Sequence, residues 1–185
     1  MNGMPGDRGG GGAAAEKGLP LHEKITQSAT PNDVLNAVIA SQQQGEQITV
    51  ADLATAMHRI ASAGAGNPDA VINDRRFQNL VILVEKQLQH KPREFTEQHL
   101  ANVVWGAAKL RLGRKPLFHL VQVQVLRKDR KLAAFSPQQL AAIAWSFATV
   151  GIEAPHLFDA VQDEARRQPQ LAGMLEQAGL LKRQP

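Results

Sequence analysis

The chain has 185 residues, of which 43% are hydrophobic and 21% are charged, and it carries a formal net charge of +4. This length suits one domain, and because no apolar run approaches the about 18 residues that cross a bilayer, the sequence excludes a membrane span. The absence of cysteine excludes disulfide scaffolds, thiolate zinc sites and cysteine nucleophiles.

The chain begins with a segment that is rich in glycine and alanine. Residues 1–20 contain almost no side chains that could form a core, so we predict a disordered tail there. The segment lacks the apolar stretch of a secretory signal and has too few basic residues to be a clear transit peptide. Its glycine run is not followed by Gly-Lys-Ser/Thr, which excludes a phosphate-binding loop.

The main feature of the rest of the chain is an internal repeat with a period of 40 residues. Residues 95–122 align without a gap with residues 135–162, and ten of these 28 positions are identical. About two identities are expected from ordinary amino-acid usage. The only two tryptophans, Trp105 and Trp145, occupy the same aligned position.

A divergent copy precedes the two clear ones. Residues 48–54 align with residues 95–101, and His58 stands where the later copies have tryptophan. A lone helix is expected before this copy. Within a helical-repeat domain over residues 21–168, we therefore predict repeats at about 48–92, 95–132 and 135–168.

Each copy begins with the same helix-start signal. Ser136 is a suitable N-cap, Pro137 fits the first helical position, and Gln139 completes the pattern of a capping box. Matched signals begin at Thr49 and Thr96. Apolar residues at helical spacing follow each cap, so each copy should start with an amphipathic helix.

A second helix follows in each clear copy, opened by Pro116 and by Pro155. One helical hairpin cannot bury its own apolar face, but stacked copies can. We therefore predict an all-α fold in which helical hairpins of about 40 residues stack as an α-solenoid. Residues 169–185 should add a short helix, over about 171–181, and a frayed end.

Positive charge is concentrated between Trp105 and Lys131. Eight basic residues and one aspartate sum to +7 in this segment, so the remaining 158 residues carry −3. Such a cluster is typical of a surface that binds a polyanion. The alternative interpretation is a solvated helix end. The basic residues are Lys109, Arg111, Arg114, Lys115, Arg127, Lys128, Arg130 and Lys131.

The repeats resemble those of a known family. The string F-[ST]-x-Q-x-L-A-x-x-x-W, followed by LF-x-x-VQ, resembles octotricopeptide-type repeats, which are related to repeats of FAST-kinase-like and RAP-domain proteins. Residues 135–161 and then 95–110 are the most similar, residues 48–61 resemble a divergent first repeat, and the resemblance covers roughly residues 31–166. It implies binding of single-stranded RNA in a mitochondrion or plastid, in support of RNA stability, processing or translation. Without that resemblance, a cytoplasmic location is expected.

The sequence carries no catalytic signature. The six histidines lack metal-binding spacing, and neither a G-x-S-x-G elbow nor the kinase glycine loop, HRD and DFG motifs occur. The position of His58 favours packing over metal ligation. We expect a protein that is not an enzyme and needs no cofactor or metal.

The first helix of each copy would line the inner face of a solenoid, where its exposed positions would meet a ligand. Counting from the caps predicts three matched rows of exposed positions: Asp52, Thr55 and Arg59; His99, Asn102, Gly106 and Lys109; and Gln139, Ala142, Ser146 and Thr149. The rows differ between copies while the apolar positions are kept, as expected for a modular reader of successive bases. Free drift of exposed positions would give the same pattern.

The basic residues after the first helix of the second copy could neutralise RNA phosphates. Trp105 and Trp145 could stack on bases, although their place in the apolar pattern favours packing. The predicted RNA-binding residues are Arg59, His99, Asn102, Lys109, Arg111, Arg114, Lys115, Gln139 and Ser146.

Two other interpretations stay open. The same stacked helices could serve as a protein-interaction scaffold that binds a peptide or a partner surface and no nucleic acid. The chain could also be a truncated array, in which case apolar side chains in residues 171–181 should be exposed. No membrane or small-molecule partner is expected in any of these cases.

Overall fold

The computed structural model describes residues 18–181, and in this range it contains ten α-helices and no β-strand. The predicted all-α class is confirmed. The predicted tail falls mainly in residues 1–17, and the frayed end in residues 182–185, outside the described range. The helices are α1 (Leu21–Gln27), α2 (Pro31–Gln43), α3 (Val50–Gly64), α4 (Pro68–Ile72), α5 (Arg75–His90), α6 (Glu97–Lys109), α7 (Lys115–Val125), α8 (Pro137–Thr149), α9 (Pro155–Ala165) and α10 (Pro169–Gln177).

Two series of helix contacts run through the structure. In the first, α3 packs on α6 and α6 packs on α8, with α1 against α3 and α10 against α8. In the second, α2 packs on α5 and α5 packs on α7. The contacts of α3 with α5, of α6 with α7 and of α8 with α9 join the two series. We call α3, α6 and α8 the first layer, and α5, α7 and α9 the second layer.

The predicted helix starts are present. Thr49, Thr96 and Ser136 each cap a first-layer helix and accept a hydrogen bond from the backbone N–H three residues later. The side chain at that third position accepts from the cap's N–H in return, which completes three capping boxes. The side chains that return the bond are those of Asp52, His99 and Gln139.

Corresponding elements lie 40 residues apart in the second half of the described chain. The helices α6 and α8 have 13 residues each, α7 and α9 have 11 each, and short 3-10 turns at Pro92–Glu94 and Leu132–Ala134 precede α6 and α8. The first half departs from this spacing because α4 occupies the longer connection after α3.

The region before α3 differs from the prediction of a lone helix, since α1 and α2 both lie there. Extended backbone at Ser28 ends α1, and a capping box of Thr30 with Asp33 begins α2. Leu21 and Ile25 of α1 are buried. Two helices therefore pack against α3 where one was expected.

At the other end, α10 spans Pro169–Gln177 instead of the predicted 171–181. Gly179, with φ of 70°, follows it in the left-handed conformation that commonly ends a helix. Leu171 and Leu175 are buried, at 0% and 1% exposure, against α8 and α9. The exposed apolar surface expected for a truncated array is therefore absent at these two side chains. No helix within residues 18–181 is long and apolar enough to cross a membrane.

An arginine joins the beginnings of two successive first-layer helices. Nη1 of Arg130 donates to Oε1 of Glu97 at 2.8 Å, and Nη2 donates to the carbonyl oxygen of Phe95 at 2.6 Å. Its guanidinium also lies 6.0 Å from the ring centroid of Phe135. Because the side chain is largely buried, these charge-assisted bonds fix the loop before α8 to the start of α6.

Two first-layer helices come very close at Gly106 of α6. A Cβ atom at this position would lie 2.7 Å from the carbonyl oxygen of Met57 in α3. That contact is with backbone, which cannot move aside as a flexible side chain can. Glycine is therefore required here for close contact between the two helices.

We expect Gly106→Ala to lower the free energy of unfolding by about 1–3 kcal/mol, because the added methyl group forces α6 away from α3. Gly173→Ala in α10 is the matched control, since nothing lies within 4 Å of its added Cβ. That variant should gain about 0.5–1 kcal/mol from higher helix propensity. Urea unfolding followed by circular dichroism measures both, and equal effects would contradict the close contact.

Candidate nucleic-acid interface

One strip of α6 is open to solvent. It consists of Gln98, Asn102, Trp105 and Lys109, of which the first and last are exposed and the two others are half-buried. Their spacing of four, three and four residues places them on one face of a helix. The equivalent strips hold Ala51, Thr55, His58 and Ser62 on α3 and Gln138, Ala142, Trp145 and Thr149 on α8. We call these twelve positions the open face.

The predicted row of exposed positions is wrong at three places. Asp52, Gly106 and Ser146 are buried, and the hydroxyl of Ser146 donates to the carbonyl oxygen of Ala142 at 2.6 Å. The reason is that α6 packs between α3 and α8, so only a narrow strip of its surface is accessible to solvent. Counting from the caps locates the helix start but does not reveal which positions face those neighbours.

Several predicted ligand-binding side chains have structural roles. Nδ1 of His99 accepts from the N–H of Thr96 at 3.3 Å, and burial lowers the pKa of this imidazole. Gln139 closes the corresponding capping box of α8. Nη2 of Arg59 donates to the carbonyl oxygen of Ser28 at 2.6 Å. Of the predicted RNA-binding residues, Asn102 and Lys109 lie at positions of the open face.

A groove of about 230 Å³ crosses the open face. Within it the side-chain amides form a chain: Gln139 donates to Oε1 of Gln98 at 3.1 Å, and Gln98 donates to Oδ1 of Asn102 at 2.7 Å. None of the side chains around it is a carboxylate, a lysine or an arginine. The lining consists of His58, Gln98, Ala101, Asn102, Trp105, Ser136, Gln138, Gln139 and Ala142.

Trp105 lies at the centre of the open face. Its ring stacks on that of His58, with centroids 4.7 Å apart and an interplanar angle of 25°. Nζ of Lys109 lies 5.9 Å from the ring centroid. Trp105 and Trp145 are half-buried: part of each side chain packs against the core, and the rest of it is accessible to solvent.

His58 has the packing environment expected from its alignment with tryptophan, since it stacks on Trp105. Burial, and to a smaller extent the charge of Arg59, lower the pKa of His58 below its ordinary value of 6.5. The neutral imidazole is therefore the stable form at pH 7. No group of three or more acidic or histidine side chains within residues 18–181 could hold a metal ion.

The basic cluster of the sequence divides into two groups. Lys109, Arg111, Arg114 and Lys115 lie at or before the start of α7, whereas the four basic residues of 127–131 lie beyond its end. The 11 residues of α7 separate the groups by about 16 Å. Proximity in sequence therefore does not produce one continuous basic surface.

Three of the eight basic side chains form ion pairs with carboxylates. Arg114 binds Glu85, with Nη2 and Oε2 2.8 Å apart, and Glu85 is 8% exposed. Arg127 pairs with Asp129 and lowers the pKa of that carboxyl. Arg130 pairs with Glu97, as described above. Arg114 therefore belongs to the fold more than to a ligand surface.

The remaining basic side chains form no ion pair within the described part of the chain. Lys109, Arg111 and Lys115 are exposed, and Lys109 lies beside Trp105 at the C-terminal end of the α6 strip. Lys128 and Lys131 are exposed at the other end of α7. The structure thus places Lys109 next to Trp105, whereas Arg111 and Lys115 follow it by two and six residues and Arg114 is paired with Glu85.

Sequence reasoning did not include Gln98, Gln138 and Trp105 among the predicted binding residues, although all three border the groove. The signal for Trp105 was present in its alignment with Trp145 but favoured the core. Comparison with models of known protein families and with curated protein sequences finds no match for this chain.

The lowered pKa values of His58 and His99 predict a pH-dependent stability. Below about pH 6.5 the unfolded chain binds protons that the folded histidines still exclude, so the free energy of unfolding should fall as the pH drops from 6.5 toward the folded pKa values. Urea unfolding at pH 7.5 and pH 5.5 measures this change. His58→Gln and His99→Gln should each remove part of it, because glutamine does not titrate and already serves at the position equivalent to His99. If the pH dependence of the free energy of unfolding is unchanged in both variants, it does not arise from His58 and His99.

Proposed function

We propose that this chain is a non-catalytic α-solenoid that binds single-stranded RNA along its open face. The observation that carries the proposal is the open face itself, whose twelve positions include an aromatic strip of His58, Trp105 and Trp145 and no carboxylate. Lys109 lies on this face, and Arg111 and Lys115 follow shortly after the end of α6. All three are exposed and have no acidic partner among residues 18–181. Aromatic rings stack on bases and basic side chains neutralise phosphates, and single-stranded nucleic acids are bound by this combination.

The arrangement of the helices supports the solenoid part of the proposal. In the second half of the described chain, equivalent helices of matched length begin 40 residues apart, and each first-layer helix packs on the next one in the chain. A stack of this kind presents the same strip of each helix on one side. In this chain those strips hold His58, Trp105 and Trp145 in succession.

Backbone strain at Arg111 supports a role for its charge. Arg111 has φ of 59°, the left-handed conformation, where the equivalent residue 40 positions later is Gly151 with φ of 67°. Glycine adopts this conformation without the steric cost that other residues incur. An arginine kept at such a position points to a function of its side chain.

The resemblance to octotricopeptide-type repeats supports an organellar setting. In that setting the protein would bind mitochondrial or plastid RNA and support its stability, processing or translation.

The second layer favours a second candidate, a protein-interaction scaffold, because Ile82 and Val123 are 40% and 47% exposed on α5 and α7. Recovery of a partner protein that withstands nuclease treatment and is lost in Ile82→Ser would favour the scaffold.

Fluorescence anisotropy of a labelled single-stranded RNA at several salt concentrations tests the proposed function. We expect Lys109→Gln combined with Lys115→Gln to weaken binding and to reduce the slope of log affinity against log salt by about 1.4, since each phosphate contact contributes about 0.7.

Arg75→Gln combined with Lys86→Gln is the matched control for this experiment. Both side chains are exposed on α5 in the second layer, and their loss changes the net charge by the same amount. The control variant should keep nearly the full salt slope. Negligible binding at low salt, or equal effects of the two double variants, would overturn the proposal.

Arg111→Gly should separate stability from binding. The substitution relieves the left-handed strain, so we expect the free energy of unfolding to rise by up to about 1 kcal/mol. At the same time it removes a phosphate contact, so RNA affinity at low salt should fall. Thermal unfolding and anisotropy measure the two effects, and unchanged RNA affinity would show that Arg111 does not serve the interface.

A further inference from the structure

We propose that the groove between α6 and α8 is a nucleobase subsite, in which Trp105 is the stacking platform and Asn102 binds the base edge. This inference rests on the proposed function and names the place where the RNA would be read. It goes beyond phosphate binding, because phosphates carry no base identity.

The indole of Trp105 borders the groove and is half-buried, so part of it is accessible. His58 of α3 already lies against the indole at a centroid separation of 4.7 Å. The groove opens next to the same indole, and its other wall comes from α8 through Gln138, Gln139 and Ala142. A flat ring in the groove would contact the accessible part of the indole that His58 stacks on.

The small residues of the groove leave room for such a ring. Ala101 and Ala142 border it, and its volume is about 230 Å³. A larger side chain at either position would fill the space beside the indole. The groove therefore combines one aromatic wall with two short side chains, which suits a planar guest.

The polar groups of the groove are amides, which suits a neutral heterocycle better than a charged ligand. Gln98 and Gln139 use hydrogen-bonding groups on each other, and Oδ1 of Asn102 accepts from Gln98. Nδ2 of Asn102 makes no hydrogen bond within the described part of the chain. Asparagine amides bind base edges in nucleic-acid complexes, and Nδ2 of Asn102 is free to donate to one. The Gln138 amide on the opposite wall likewise makes no hydrogen bond within residues 18–181.

A cation completes the subsite at its edge. Nζ of Lys109 lies 5.9 Å from the Trp105 centroid, forms no ion pair within residues 18–181 and is exposed. A nucleotide whose base stacks on Trp105 would bring its phosphate into the reach of this side chain. The equivalent position on α8 is Thr149, so the groove at α6 unites stacking, edge binding and charge in a way that α8 does not.

The subsite can be tested with the full chain carrying Trp145→Phe, which leaves Trp105 as the only tryptophan. An RNA of about eight nucleotides should quench its fluorescence, and an oligonucleotide of the same length and charge with abasic positions should not.

In the anisotropy assay, Trp105→Leu should weaken binding of the intact RNA by about 5- to 150-fold and leave binding of the abasic oligonucleotide unchanged. Trp105→Phe should retain most of the affinity, and Val123→Ser in the second layer is the control.

Asn102→Ala should reduce affinity for some homopolymeric RNAs more than for others, as expected for a group that contacts a base edge. The subsite is overturned if intact and abasic oligonucleotides bind equally and Trp105→Leu changes neither, while the salt-dependent binding of the proposed function persists. The absence of any binding by either oligonucleotide would overturn the proposed function and the subsite together. The quenching measurement does not depend on the folding of a Trp105 variant.

Discussion

The close contact of α6 with α3 sets the geometry of the open face. Because Gly106 has no Cβ, its backbone lies directly on the carbonyl of Met57, and the two helices come near enough for His58 and Trp105 to stack. The burial of Gly106 against α3 and the stacking of Trp105 on His58 both result from this close contact. A wider spacing would separate the rings and place solvent between the helices, so the aromatic strip depends on one missing methyl group.

Local signals determined most of what could be predicted about the fold. The boxes at Thr49, Thr96 and Ser136 involve residues three positions apart, and a repeat copies them, so the sequence shows them directly. The orientation of the exposed strip depends instead on contacts between helices that are distant in the chain. That is why the predicted row included Gly106 and Ser146, which face neighbouring helices, and placed Trp105 in the core pattern.

The division of the basic cluster has the same physical origin. Glu85 neutralises Arg114 from 29 positions away, and Glu97 neutralises Arg130 from 33 positions away. No count of charges in a sequence window can detect partners at such separations, since they meet only through helix packing. The structure thereby divides a segment of +7 into two smaller groups, and in one of them Lys109 lies beside Trp105.

In the proposed RNA interface, the basic side chains and the aromatic groove would have different roles. Charge at Lys109, Arg111 and Lys115 would act on any phosphate chain and weaken with salt, whereas stacking on Trp105 requires a base and is insensitive to salt. His58 is the one titratable side chain that lines the groove within the described residues, and it is neutral at pH 7. The groove therefore cannot hold RNA by electrostatic attraction alone. The basic group would therefore supply the attraction and the groove the dependence on bases, and neither would bind RNA selectively without the other.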